Sequence, residues 1–92
     1  MGPGLLESIY EKILLHELQK SGLKYKWQVN FPIIHDGRIF DMAYRIDIIV
    51  ENKVIVELKS VEVVLPVHKK QLLTYLKISG IKVGLMINYN ES

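Results

Sequence analysis

The chain has no cysteine among its 92 residues, which excludes disulfides, thiolate zinc sites and cysteine nucleophiles together. This absence fits the reducing cytoplasm, the compartment we expect. No stretch of about 18 uninterrupted apolar residues occurs, so the sequence predicts no membrane-spanning segment. The segment Met1-Gly2-Pro3-Gly4 lacks the basic and apolar regions of a signal peptide. The formal net charge of +2 permits an anionic partner without requiring one.

The remaining composition is that of a folded domain, with 49% apolar and 24% charged residues. We expect residues 1–92 to form a single domain, because the chain is too short for two. Hydrophobic periodicity predicts helices over residues 5–21 and 66–79, and strands over residues 25–34, 38–50, 54–61 and 82–88. The order α-β-β-β-α-β predicts a mixed sheet flanked by helices, in the α/β or α+β class. The predicted bend of the second strand lies near Asp41.

Two carboxylates and a lysine lie on the second predicted hairpin. Glu57 and Lys59 are two residues apart, so their side chains share one face of a strand. A pairing symmetric about Asn52 puts Asp47 opposite Glu57, with Cβ atoms about 4.5–5.5 Å apart. Carboxylates at that separation repel unless a cation lies between them, and Mg²⁺ binds one or two carboxylates plus waters. Lys59 would then orient or deprotonate the attacking water, or neutralise charge on a phosphate.

A Glu-x-Lys pattern is also common on solvated strands, where it forms a cross-strand ion pair. The surrounding strands are apolar on both faces, and unpaired charge is costly there, which favours the functional interpretation. The predicted faces are Ile46, Ile48, Val54, Val56 and Leu58 on one side, and Ile49 and Ile55 on the other. On the first helix, the predicted apolar stripe is Leu6, Ile9, Tyr10 and Ile13, with Leu14 beside it.

Several residues of the two helices are candidates for the same site. Gln71 and Tyr75 share one face of the second helix. Gln71 suits a phosphate oxygen or a water on the metal. Tyr75 is a candidate nucleic-acid contact, and a core residue with a solvated hydroxyl is the favoured alternative. His68, Lys69 and Lys70 begin that helix and are predicted contacts for backbone phosphates, with a solvated basic patch as the alternative.

Beyond these residues, the chain resembles a known family, the GxxExxY proteins, which are PD-(D/E)XK nuclease-like. The similarity is carried by Gly4-Leu5-Leu6-Glu7-Ser8-Ile9-Tyr10, Arg45-Ile46-Asp47, Val56-Glu57-Leu58-Lys59, Leu65-Pro66-Val67-His68, Gln71-Leu72-Leu73-Thr74-Tyr75-Leu76 and Gly84-Leu85-Met86-Ile87-Asn88. The resemblance implies a restriction-endonuclease-like core, apparently shortened here at both ends.

The same resemblance implies roles for individual residues. Asp47 and Glu57 would bind the metal, and Lys59 would be catalytic. Glu7 and Gln71 would complete the site, with Glu7 on a second ion or its water. From the sequence alone, Glu7 is a favourable charge in the first turn of a helix.

The resulting prediction is a Mg²⁺- or Mn²⁺-dependent nuclease that hydrolyses phosphodiester bonds in DNA. One alternative is a nucleic-acid-binding module with the same fold and little hydrolysis. Another is a protein-interaction domain, for example a homodimer, in which Trp27, Phe31 and Phe40 form an exposed apolar surface.

Overall fold

The computed structural model describes residues 3–89, and side chains for residues 7–41 and 44–89. Its six elements appear in the predicted order, and their ends differ from the predicted ones by no more than two residues. They are α1 (Pro3–Lys20), β1 (Tyr25–His35), β2 (Arg38–Val50), β3 (Val54–Lys59), α2 (Pro66–Ser79) and β4 (Val83–Asn88). The predicted mixed α and β class is confirmed. No helix of this described range is long and apolar enough to cross a membrane.

The four strands form one sheet in the order β1-β2-β3-β4. The first two pairings are antiparallel and the last is parallel, so the chain crosses from β3 to β4 through α2. Positive-φ glycines end the helices, since Gly22 follows α1 with φ 74° and Gly80 follows α2 with φ 75°. Both caps agree with the sequence pattern.

Two apolar clusters hold the helices on opposite faces of the sheet. The α2-side cluster contains Ile46, Ile49, Ile55 and Tyr75, with Leu72 and Leu76 of α2 packed against it. The α1-side cluster contains Ile48, Val56 and Leu58, with Leu14, Leu15 and Leu18 of α1 packed against it. Because Ile55 and Val56 are neighbours on β3 and belong to different clusters, the helices cover different faces.

The predicted apolar stripe of α1 is wrong in two residues, because Ile9 and Ile13 are 42% and 53% exposed. Tyr10 is half-buried and stacks on Tyr89, and Leu14 packs on the α1-side cluster with Leu15 and Leu18. The buried stripe is therefore rotated toward Leu15 and Leu18. Leu6 lies outside the described side chains.

The side-chain alternation of two strands breaks at the same level of the sheet. On β2, Ile46 belongs to the α2-side cluster and Ile48 to the α1-side cluster, although they are two residues apart. The prediction that Ile46 and Ile48 share a face is therefore wrong. On β1, Tyr25 packs on the α1 side and Val29 on the α2 side. Gln28, with φ 51°, lies between them.

The predicted aromatic surface is wrong in one residue. Trp27 and Phe40 are 56% and 48% exposed, but Phe31 is half-buried against the α2-side cluster. Phe40 pairs with Ile33, about 20 Å along β1 from Trp27, so the exposed rings form no single patch. The predicted bend of β2 is confirmed, because the pairing with β1 shifts register after Phe31, at the level of Asp41.

Candidate active site

The ladder between β2 and β3 ends in a pair of carboxylates. Ile48 pairs with Val56, Ile49 with Ile55 and Val50 with Val54, a register symmetric about Asn52 as predicted. Beyond Ile48 and Val56, carboxylate oxygens of the side chains replace backbone carbonyls as hydrogen-bond acceptors between the two strands. The Asp47 backbone N–H donates to Glu57 Oε1 over 3.0 Å, and the Leu58 backbone N–H donates to Asp47 Oδ2 over 2.9 Å. Each carboxylate thus holds the other residue's strand.

Glu57 is the one charged residue buried in the described core, with 3% of its surface exposed. The pKa of its carboxyl is raised to about 8, chiefly by burial and also by the neighbouring Asp47 charge, while the hydrogen bond from the Asp47 backbone N–H and the Lys59 charge oppose the rise. Most molecules therefore carry a proton on Glu57 at neutral pH. A bound cation would take over the role of that proton between the two carboxylates.

A hydrogen-bonded chain runs from Lys59 into α2. Lys59 Nζ donates to Gln71 Oε1 over 3.2 Å, and Gln71 Nε2 donates to the Tyr75 hydroxyl over 2.9 Å. Tyr75 is 3% exposed, which confirms it as a core residue, but its hydroxyl is bonded to Gln71 and is not solvated as predicted. Within residues 7–41 and 44–89, Lys59 has no carboxylate within 4.0 Å, so a neutral amide holds its amino group. Its positive charge acts on Glu57 from a distance, without a direct ion pair.

Glu7 reaches the same end of the sheet from α1. Its Oε1 accepts the Ser60 backbone N–H over 2.8 Å, one residue beyond Lys59. Glu7 therefore fixes the end of β3. The expected position in the first turn of the helix is wrong, because α1 begins at Pro3 and its first turn holds no acidic residue. No group of three or more His, Asp or Glu side chains converges on a metal position in the described part of the chain. Asp47 and Glu57 lie together, and the ligand role of Glu7 stays a prediction.

The family model of the PD-(D/E)XK nuclease superfamily matches residues 1–92. The chain belongs to the PD-(D/E)XK nuclease superfamily. No curated protein and no solved structure matches it. The match extends over all six elements, so it covers Asp47, Glu57 and Lys59 together with the helices that flank them.

The carboxylate pair of this PD-(D/E)XK protein fits a hard divalent cation. Glu57 Oε1 and Asp47 Oδ2 accept backbone N–H groups, and the two side chains are also hydrogen-bonded to each other, so a cation between them would replace a shared proton. Oxygen donors of this kind suit Mg²⁺ or Mn²⁺, and a soft metal would need sulfur or nitrogen donors. The burial of Glu57 also favours cation binding, since a cation compensates a charge that water does not reach.

Of the three residues of α2 predicted to contact phosphates, one is bonded within the protein and two are exposed. His68 Nδ1 accepts the Leu65 backbone N–H over 3.0 Å, so this side chain closes the first turn of α2. Lys69 and Lys70 are exposed. His68 thus has a structural task, and the phosphate contacts of all three residues stay predictions.

The structure also brings three residues to this candidate site that the sequence reasoning missed. Arg45 Nη2 donates to Gln28 Oε1, and Gln28 Nε2 donates to Glu11 Oε1 over 3.4 Å. Burial raises the pKa of the Glu11 carboxyl, and the Asp47 charge adds to the rise. The signal for Arg45 was its position two residues before Asp47. Gln28 gave no signal, because polar residues alternate with apolar ones along β1.

Proposed function

We propose that this protein is a Mg²⁺- or Mn²⁺-dependent nuclease that hydrolyses phosphodiester bonds in DNA. The observation that carries the proposal is the pair of buried Glu57 and half-buried Asp47, each bonded to the other's strand, beside a lysine held by a neutral amide. The match to the PD-(D/E)XK nuclease superfamily supports the reaction class. Assignment to the GxxExxY proteins is part of the same proposal.

Asp47 and Glu57 would hold the metal between their carboxylates. When bound, the ion supplies Lewis-acid activation of the phosphate and of the attacking water. For the protein, binding exchanges the proton of Glu57 for a cation. Glu7 would act at the edge of this site, on a second ion or a water, while its Oε1 keeps Ser60 in place.

Lys59 would stabilise the negative charge that develops on the phosphate in the transition state. A preorganised donor is worth more than a mobile one, because no reorganisation is needed during the reaction. Gln71 and Tyr75 provide that preorganisation, since the buried hydroxyl orients the Gln71 amide and the amide holds Lys59 Nζ. Gln71 would also position the scissile phosphate, and Tyr75 would act through Gln71.

The outer surface of α2 would contact the rest of the substrate. Lys69 and Lys70 are exposed at the start of α2, close to the loop that follows β3. The charges of Lys69 and Lys70 would neutralise phosphates that flank the scissile one. His68, whose Nδ1 accepts the Leu65 backbone N–H, would hold the start of α2 in place for these contacts.

The decisive experiment is a cleavage assay on single- and double-stranded DNA and RNA with Mg²⁺, Mn²⁺ or EDTA. We expect cleavage of DNA with either metal, none in EDTA, and none in Asp47→Asn. The matched control is Asp36→Asn, which makes the same change at an exposed turn. DNA binding without cleavage under every metal condition would replace the nuclease by a nucleic-acid-binding module.

A further inference from the structure

Arg45 lies on β2 beside the carboxylate pair, and its guanidinium is exposed. Its Nη2 donates to Gln28 Oε1, and the amide of Gln28 donates in turn to Glu11 of α1. The Glu11 carboxylate accepts hydrogen bonds and donates none while ionised, so it fixes which end of the Gln28 amide faces Arg45. Gln28, which Glu11 orients, therefore holds Arg45 from one side.

The anchor of Arg45 is a neutral group. Within the described residues, no carboxylate lies within 4.0 Å of its guanidinium, so the charge of Arg45 is not compensated by an ion pair. A guanidinium has five N–H donors in a planar fork that matches the oxygens of a phosphate. One of its nitrogens is engaged with Gln28, which leaves donors for an anion from solution.

The backbone of Gln28 indicates that this arrangement is held against a local preference. Gln28 has φ 51°, the left-handed region, although it lies inside a strand and carries a side chain. Strained positions of this kind persist where the surroundings hold them, and they concentrate at functional sites. The pairing on either side, Trp27 with Ile48 and Val29 with Ile46, puts Gln28 opposite Asp47. The strain therefore lies at the level of the proposed metal ligand.

We infer that Arg45 binds the substrate phosphate next to the scissile one, and that Gln28 positions it. The inference rests on the proposed function, because it places a second phosphate beside the carboxylate pair. Two strand residues separate the Cα atoms of Arg45 and Asp47 by about 6.6 Å. A phosphate on Arg45 therefore lies beside the one at Asp47 and Glu57, on the α1 side, and Lys59 approaches from the α2 side.

The test measures DNA binding in EDTA, so that no cleavage occurs, over a range of salt concentrations. Arg45→Ala should weaken binding about 10-fold, the loss expected for one charge-assisted contact. The slope of log affinity against log salt should fall by about 0.7–0.9 as one phosphate contact is lost. Arg38→Ala is the matched control, because Arg38 is an exposed arginine at the other end of β2. Arg45→Lys should recover the slope and part of the affinity.

Gln28→Gly separates positioning from folding. Glycine adopts φ 51° without strain, so this variant should melt at the wild-type temperature or above. It lacks the amide that holds Arg45, so DNA affinity should fall towards that of Arg45→Ala. Adding Arg45→Ala to Gln28→Gly should then cost less affinity than Arg45→Ala costs alone.

The outcomes distinguish this inference from the proposed function. An unchanged salt slope in Arg45→Ala, or wild-type affinity in Gln28→Gly, overturns the inference even if the protein cleaves DNA. A slope change in Arg45→Ala without any metal-dependent cleavage supports the phosphate contact of Arg45 and overturns the nuclease proposal, so that no phosphate beside it is scissile.

Discussion

Divalent-metal binding by this protein should strengthen steeply as pH rises from 6 to 8. The reason is the proton on Glu57, a residue that is 3% exposed and whose carboxyl has its pKa raised to about 8, chiefly by burial. A cation that binds Glu57 must displace that proton. The apparent affinity is reduced by a factor of about 100 at pH 6, about 10 at pH 7 and about 2 at pH 8 for a pKa of about 8.

The expected gain between pH 6 and pH 8 is therefore about 50-fold, or about 2.3 kcal/mol. The metal-free protein should show the opposite trend. Because the folded pKa of Glu57 lies above its ordinary value of 4.5, the stabilising effect of this proton is complete below about pH 4.5. It is lost as pH rises through about 8, at up to about 1.4 kcal/mol per pH unit. Mg²⁺ should accordingly raise the melting temperature more at pH 8 than at pH 6.

Titration calorimetry with Mn²⁺ at pH 6, 7 and 8 measures this directly. In two buffers of different ionisation enthalpy, we expect release of about 0.9 proton per ion at pH 7. Glu57→Gln should bind the ion weakly and lose the pH dependence. Glu62→Gln makes the same change at an exposed position and should behave as wild type. Equal affinity at pH 6 and pH 8 in the wild type would refute the reasoning, as would undiminished binding by Glu57→Gln.

Three further variants test the surroundings of the carboxylate pair. Lys59→Ala should slow metal-dependent cleavage by about 10²–10³-fold while calorimetry shows ion binding at least as tight, and an unchanged cleavage rate would remove its catalytic role. Tyr75→Phe deletes the hydroxyl that Gln71 donates to and should cost about 1 kcal/mol in urea unfolding, with slower cleavage than a purely structural loss would give. Gly84→Ala places a Cβ 2.9 Å from Leu72 Cδ1, so we expect destabilisation of about 1–3 kcal/mol in the same assay, and wild-type stability would contradict the close packing of α2 on β4.

The part of the site that the sequence predicted is the part built by local rules. A turn at Asn52 and strands of period two define the register of β2 and β3, which brings Asp47 to Glu57. The spacing of Glu57 and Lys59 likewise follows from one strand. For the same reason, the fold class was predictable, because each element announces itself by its own periodicity and its turn residues.

The part that was missed depends on contacts between distant segments. The left-handed Gln28 is held between Glu11 of α1 and Arg45 of β2, residues 17 positions away on either side. No local preference of glutamine indicates such a conformation. The reversal of side-chain direction at this level then carries Ile46 to the α2 side, contrary to the simple alternation. The prediction of the buried side of α1 was wrong at Ile9 and Ile13 for a similar reason, because tertiary contacts decide where the helix crosses the sheet.

The exchange of backbone acceptors for carboxylates has a consequence for how the site can be observed. The amide hydrogens of Asp47 and Leu58 are held by the side chains of Glu57 and Asp47, outside the regular ladder of β2 and β3. Hydrogen–deuterium exchange at these two amides therefore reports on the carboxylates themselves, whereas exchange at Ile49 or Ile55 reports on the opening of the sheet. The NMR signals of these two amides therefore report on the state of the carboxylate pair, and they can be recorded without any substrate.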